Sequence, residues 1–78
     1  MPTIEIIGSY RFFFYASDQN EPIHVHVKKE KATAKYWVYP VRLQRSKHFR
    51  DYELREIERL IETNKEKFID SWNEYFND

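Results

Sequence analysis

Two histidines, His24 and His26, stand one residue apart in the stretch Glu21-Pro22-Ile23-His24-Val25-His26-Val27-Lys28. Imidazole is the commonest metal ligand and the side chain that ordinarily changes charge near neutral pH, so the pair can do two kinds of chemistry. Successive side chains of an extended strand point to opposite faces. That puts His24, His26 and Lys28 on one side and Ile23, Val25 and Val27 on the other. A zinc or iron centre normally takes at least one more protein ligand from His, Asp or Glu, and Asp18, Glu21 or His48 can supply it. Such a centre lowers the pKa of a bound water and supports hydrolysis. Without metal, His24 can serve as a general base oriented by Asp18 or Glu21, as a histidine-based ribonuclease would need. The ordinary alternative is a solvated face, in which Lys28 continues a polar row and both rings point to water.

Other chemistries are narrower. There is no cysteine, which excludes disulfides, Cys-type zinc sites and thiol nucleophiles. Ser9, Ser17, Ser46 and Ser71 lie in no recognisable nucleophile motif, so no catalytic residue is assigned. The densest positive segment runs from Arg42 to Arg50, with Arg42, Arg45, Lys47, His48 and Arg50, and follows Tyr36, Trp37 and Tyr39 closely. Cations beside aromatics suit phosphate contact and base stacking, which makes these five residues candidates for touching nucleic acid. The plainer alternative is a solvated loop whose cations pair with Asp51, Glu53 or Glu56. No helix-turn-helix, zinc finger or RNP-type motif is visible, so base-specific reading is not expected.

These residues need a scaffold, and 78 residues allow one small domain, residues 1–78. A chain of this size buries only about 60% of the surface that its unfolded form exposes. Two Trp, six Tyr and six Phe supply large apolar area per residue, some of it available to an interface. Thr3–Ile7 reads as a strand, Gly8-Ser9 as a tight turn, and Tyr10–Tyr15 as a returning strand with aromatics on both faces. Ser17–Pro22 is a polar loop. Ile23–Lys28 and Ala32–Val38 are further strands, the second ended or bent by Tyr39-Pro40, and Val41–Leu43 is a short edge strand. From Asp51, a plausible N-cap, the period becomes helical: Leu54, Ile57, Leu60 and Ile61 form one stripe. Asn64 can cap a second helix that carries Phe68, Ile69, Trp72, Tyr75 and Phe76. The expected fold is α+β, an antiparallel β-meander of about four strands followed by two C-terminal α-helices on one sheet face.

The net charge of zero conceals an asymmetry: residues 1–50 carry nine basic and four acidic side chains, net +5, and residues 51–78 carry four and nine, net −5. The halves can complement one another, or the basic half can face a polyanion. No basic start and no apolar run long enough for a membrane span stands in the N-terminal stretch, so a cytoplasmic protein without membrane association is expected.

The chain resembles a family of small prokaryotic proteins known as domain of unknown function 4160. The resemblance is carried by Met1-Pro2-Thr3-Ile4, the strand ending at Tyr15, the loop Asp18-Gln19-Asn20-Glu21-Pro22-Ile23-His24-Val25-His26-Val27, and Phe68-Ile69-Asp70-Ser71-Trp72. Lys35–Phe49 matches poorly. The family's loop reads Asp-His-x-Pro-Pro-His-x-His; here the loop is one residue longer, Gln19 stands at its first histidine and Glu21 at its first proline, and only His24 and His26 carry over. A neutral amide is a poor transition-metal ligand. The resemblance implies a small two-gene, toxin–antitoxin-like unit, and with it a protein partner. The reading favoured by sequence is thus an interaction protein rather than an enzyme, with a small protein partner or homo-oligomer and nucleic acid as a further contact. Its functional face would be His24, His26, Lys28, Asp18 and Gln19. The alternative is a metal-assisted or histidine-based phosphodiesterase on that face, a divalent ion held by His24 and His26 being the sole cofactor considered.

Overall fold

The computed structural model of the protein describes residues 3–76. Met1, Pro2, Asn77 and Asp78 lie outside the described residues, including the first two residues that carry the family resemblance. The order is β1 (Thr3–Ile7), β2 (Tyr10–Phe13), a 3-10 turn (Ala16–Asn20), β3 (His24–Lys29), β4 (Ala32–Val38), β5 (Val41–Lys47), α1 (Asp51–Thr63) and α2 (Lys65–Phe76). The five strands form one antiparallel sheet in chain order, with both helices after it. This is the expected α+β meander, its fifth strand being the edge strand expected from Val41.

Turn chemistry sets the hairpins. Gly8 has φ +60 and Ser9 has no positive φ, the pattern that a II′ turn needs to match strand twist. The Glu30-Lys31 turn lacks glycine, and Glu30 itself takes φ +54. An L-residue there costs about 1–2 kcal/mol. Tyr39-Pro40, a cis peptide, makes the β4–β5 turn.

Alternation sorts the sheet into two faces. The inner face carries Tyr10, Phe12, Val25, Val27, Ala34, Tyr36 and Val38, which pack with Ile57, Ile61 and Phe68 of the helices. Phe12, Val25, Val27, Val38, Ile57, Ile61 and Phe68 are fully buried. Each such side chain contributes about 1.5–3 kcal/mol over its exposed state. Tyr36 crosses this layer and donates its hydroxyl to the Leu54 carbonyl at 2.9 Å. Burial in this apolar layer pushes the Tyr36 hydroxyl up to about 12.

The N-cap of helix α1 falls one residue before the expected Asp51. Arg50 is the cap, and its N–H donates to the Glu53 carboxylate at 3.0 Å. That oxygen satisfies a donor which the first helical turn leaves unpaired. Glu53 also holds Lys29 at 3.0 Å, so the helix start is tied to the end of β3. The Arg50 N–H holds the Glu53 carboxyl below the ordinary glutamate range, with Lys29 adding to the effect. Asn64 ends α1, its side chain donating to the Leu60 carbonyl, and its own carbonyl accepts from Phe68 to begin α2.

β5 differs most from expectation. It extends seven residues rather than ending near Leu43, because Arg45, Ser46 and Lys47 continue the pairing with Lys35, Ala34 and Thr33. The cationic segment is therefore mostly an edge strand, not a loop. A bulge lies in its path: Tyr36 faces Leu43 and Lys35 faces Arg45, leaving Gln44 as the extra residue.

Candidate metal centre

The outer face of the sheet bears His24 and His26, as parity requires, but both rings are buried. His24 is fully buried and His26 is 9% exposed. The expectation of a solvated imidazole face is corrected here. Parity decides which side a residue takes, and it says nothing of what lies over that side. The cover comes from the segment after β2. Phe14 leaves the sheet, the chain makes a 3-10 turn over Ala16–Asn20, and Asp18 is turned back onto the strand. Tyr15, Phe13 and Trp37 close the sides. The His26 ring stacks on Phe13 at 5.5 Å and meets Tyr15 at 4.7 Å, while His24 meets Trp37 edge-on at 5.7 Å. Trp72 of α2 contacts both His24 (5.2 Å) and Phe14 (5.1 Å) at the end of the sheet where β3 begins. Core aromatics thereby fix the orientation of a polar ring.

Asp18 is the third residue. Its Oδ2 accepts the Tyr15 N–H at 2.8 Å, lies 3.1 Å from His26 Nε2 and lies 3.2 Å from His24 Nε2. The Asp18 N–H bonds back to the Tyr15 carbonyl, and the Asp18 carbonyl accepts from Glu21, so the turn is locked on both sides. Burial alone would raise the Asp18 carboxyl; the Tyr15 N–H and the two imidazoles overcome it and bring it below the usual range. Burial pushes His26 below its ordinary value, only partly opposed by Asp18. Asp18 is therefore charged and His26 neutral near pH 7, the protonation states of metal ligands.

The His24 ring is the informative one. Its Nδ1 lies 2.9 Å from the Pro22 carbonyl, which can only accept, so Nδ1 carries the proton. Nε2 then carries a lone pair 3.2 Å from Asp18 Oδ2 and makes no hydrogen bond to it. Two acceptors are held close together in a buried place, an arrangement that a cation shared by both would satisfy. An Nδ1–H bond to a backbone carbonyl is also how ligating histidines are usually oriented. Adjacent ligand atoms stand about 3.3 Å apart around a tetrahedral ion and about 2.9 Å around an octahedral one, for bonds near 2.05 Å. The observed 3.1 and 3.2 Å fall between these values. Asp18, His24 and His26 offer three ligand atoms, all within 4.8 Å of one another.

The other proposed ligands are placed differently. Glu21 Oε1 is 4.0 Å from His24 Nδ1, on the side away from Asp18, and binds Lys35. That Lys35 contact holds the Glu21 carboxyl below its ordinary value. Gln19 is exposed and enters no side-chain hydrogen bond among the described residues. His48 lies beyond the far end of β3, beside Lys29, Arg50 and Glu53, at φ +72. It is not a third ligand, because β5 carries it along the whole length of the sheet. Lys28 is exposed on the outer face.

A cleft of about 320 Å³ opens beside His26, lined by Phe13, Tyr15, Lys35, Arg45 and Lys47 among others. Arg45 and Lys47 reach it because they pair with Lys35 and Thr33 of β4, on the histidine side. His48 and Arg50 do not share that side, so the five-residue basic segment is divided by the fold. The expected pairing of its cations with Asp51, Glu53 or Glu56 is absent among the described residues; Glu53 binds Lys29 and Glu56 accepts from Tyr10. Burial, with that bond adding to it, pushes the Tyr10 hydroxyl well above its ordinary value. No helix among the described residues is long and apolar enough to cross a membrane.

No curated protein and no solved structure matches this chain. A family model does, over residues 9–73, which takes in the 3-10 turn, both histidines and Trp72. The chain belongs to the family described as Domain of unknown function (DUF4160).

Proposed function

We propose that this protein binds one divalent metal ion through Asp18, His24 and His26 and presents it to the cleft beside His26 for hydrolytic chemistry. The observation that carries this reading is the buried His24 Nε2, 3.2 Å from a carboxylate oxygen and without a hydrogen bond to it. Two imidazoles and one carboxylate, with further coordination positions open, form the donor set of catalytic zinc and of non-haem ferrous centres. The ion would supply a bound water of lowered pKa. The chain's own part is to fix the ligands: Pro22 sets the His24 tautomer, Tyr15 orients Asp18, and Trp72 and Phe13 hold the rings. The reading stands on a bound ion, so the test counts ions. Calorimetric titration of chelator-treated protein with zinc, nickel and manganese should show one ion per chain, lost in His24→Ala and His26→Ala variants that remain folded by circular dichroism. Absence of binding at micromolar concentrations for all three metals would overturn the reading.

A second reading, an interaction component of a two-gene regulatory unit, is supported by the unpaired outer edge of β5 and its exposed side chains. Tyr39 is 74% and Leu43 39% exposed beside it. A partner strand could add there through main-chain hydrogen bonds. Sedimentation alone and with the product of a neighbouring gene tests this; a monomer in both cases would remove it.

A further inference from the structure

The outer face of the sheet carries more charge than any stretch of the sequence suggests. Register places Arg11 beside Lys28, Lys28 beside Thr33, Thr33 beside Lys47, Lys35 beside Arg45, and Trp37 beside Arg42. The bulge at Gln44 matters here. Without it, Arg42 and Arg45, three residues apart, would point to opposite faces; with it both share the face of His24 and His26. The strands thus contribute Arg11, Lys28, Lys35, Arg42, Arg45 and Lys47 to this side, and no carboxylate. The carboxylates over it, Asp18 and Glu21, come from the 3-10 turn and its end, and they are engaged by the histidines and Lys35. Lys28, Arg42, Arg45 and Lys47 are exposed and form no ion pair among the described residues.

Such a face concentrates positive charge and attracts a polyanion. The Arg11 guanidinium adds a related sign: its Nε is buried without a hydrogen-bond partner. Aromatic rings stand among the cations. Tyr15 is 43% exposed at the cleft, and Trp37 is half-buried between His24 and Arg42. Cations that hold phosphates beside rings that accept stacked bases are the two elements of sequence-tolerant single-strand binding. No helix projects from this face to enter a duplex groove, since α1 and α2 pack on the opposite one.

We propose that the outer sheet face, from Arg42, Arg45 and Lys47 across to Lys28, binds the phosphate backbone of single-stranded nucleic acid. This goes beyond the metal centre and does not require it. The test is fluorescence anisotropy in chelator, with labelled oligothymidylate and oligouridylate of about 12 nucleotides and a duplex of equal length. Four phosphate contacts on a single strand give a slope of about −2.8 for log affinity against log salt, a loss of about 50-fold between 50 and 200 mM. Arg45→Gln/Lys47→Gln should halve the slope, leaving a loss of about 7-fold over the same range. Arg55→Gln/Arg59→Gln on the helices should change nothing. The proposal is overturned by no binding at 50 mM salt, by a slope that the Arg45/Lys47 variant does not alter, or by a clear preference for duplex. Salt-sensitive self-association that excludes the oligonucleotide would overturn it too, since the face would then receive the acidic helices of a second copy. Because every arm is run without metal, its failure leaves the ion-counting experiment independent, and the reverse.

Discussion

Replacing Asp18 by alanine separates a structural carboxylate from a metal ligand. In metal-free protein the change removes the acceptor of the Tyr15 N–H and the partner of His26 Nε2. A donor left unpaired in a buried place costs about 1–3 kcal/mol. Tyr15 is partly exposed, so water can recover much of the first loss; His26 is nearly sealed, so the second falls nearer the upper end. Against this, the lone pair of His24 no longer faces a carboxylate. The net loss is about 1–3 kcal/mol, within the stability of about 4–12 kcal/mol usual for a chain of this length, so the variant should fold. Metal then widens the gap. A site filled at a hundredfold excess over its dissociation constant adds about 2.7 kcal/mol, or about 10–20 °C in melting temperature for a domain this small. Thermal melts of wild type and Asp18→Ala, each with chelator and with zinc, should show a modest deficit without metal and a zinc shift confined to wild type. A zinc shift of equal size in Asp18→Ala, or a variant as stable as wild type in chelator, would refute the assignment of Asp18.

Three further outcomes follow from particular contacts. His26 is held below its unfolded value of 6.5, so the unfolded chain binds the extra proton first. Metal-free stability should therefore be full above pH 6.5 and decline below it, by at most about 1.4 kcal/mol per pH unit for this proton; urea melts from pH 7.5 to 5.0 should show it and His26→Gln should flatten it. Stability that rises on acidification over that range would reverse the sign. Tyr36→Phe removes the hydroxyl donor to the Leu54 carbonyl and should cost about 1 kcal/mol by denaturant midpoint. Glu30→Gly relieves the positive φ of the β3–β4 turn at some entropic cost, and should stabilise by about 0.5 kcal/mol in the same assay.

How much of this could be read from the residues differs by element. The alternation of Ile23–Lys28 gave the right face for both histidines because strand parity is local. The stripe from Leu54 to Trp72 gave both helices for the same reason. What parity could not show was the return of Asp18 over the rings, which depends on one 3-10 turn closing through Tyr15. Asp18 is one of three possible third ligands by residue type, and nothing in the sequence separates it from Glu21 or His48. The split of the Arg42–Arg50 segment was also hidden, since a single bulge at Gln44 decides it. Trp72, expected to be core, is core and also touches His24, a contact that its place in the helical stripe does not foretell.

Helices that are largely acidic on one side and a sheet that is basic on the other make a neutral molecule with a large electric dipole. Its two shorter dimensions, 22 and 21 Å, are about twice the screening length of roughly 10 Å at 0.1 M salt. Each side is therefore felt by its surroundings almost separately, and the zero net charge predicts little about its adhesion. The purified protein should be retained by both cation and anion exchangers at pH 7 and low salt, and it should approach any charged surface in one preferred orientation.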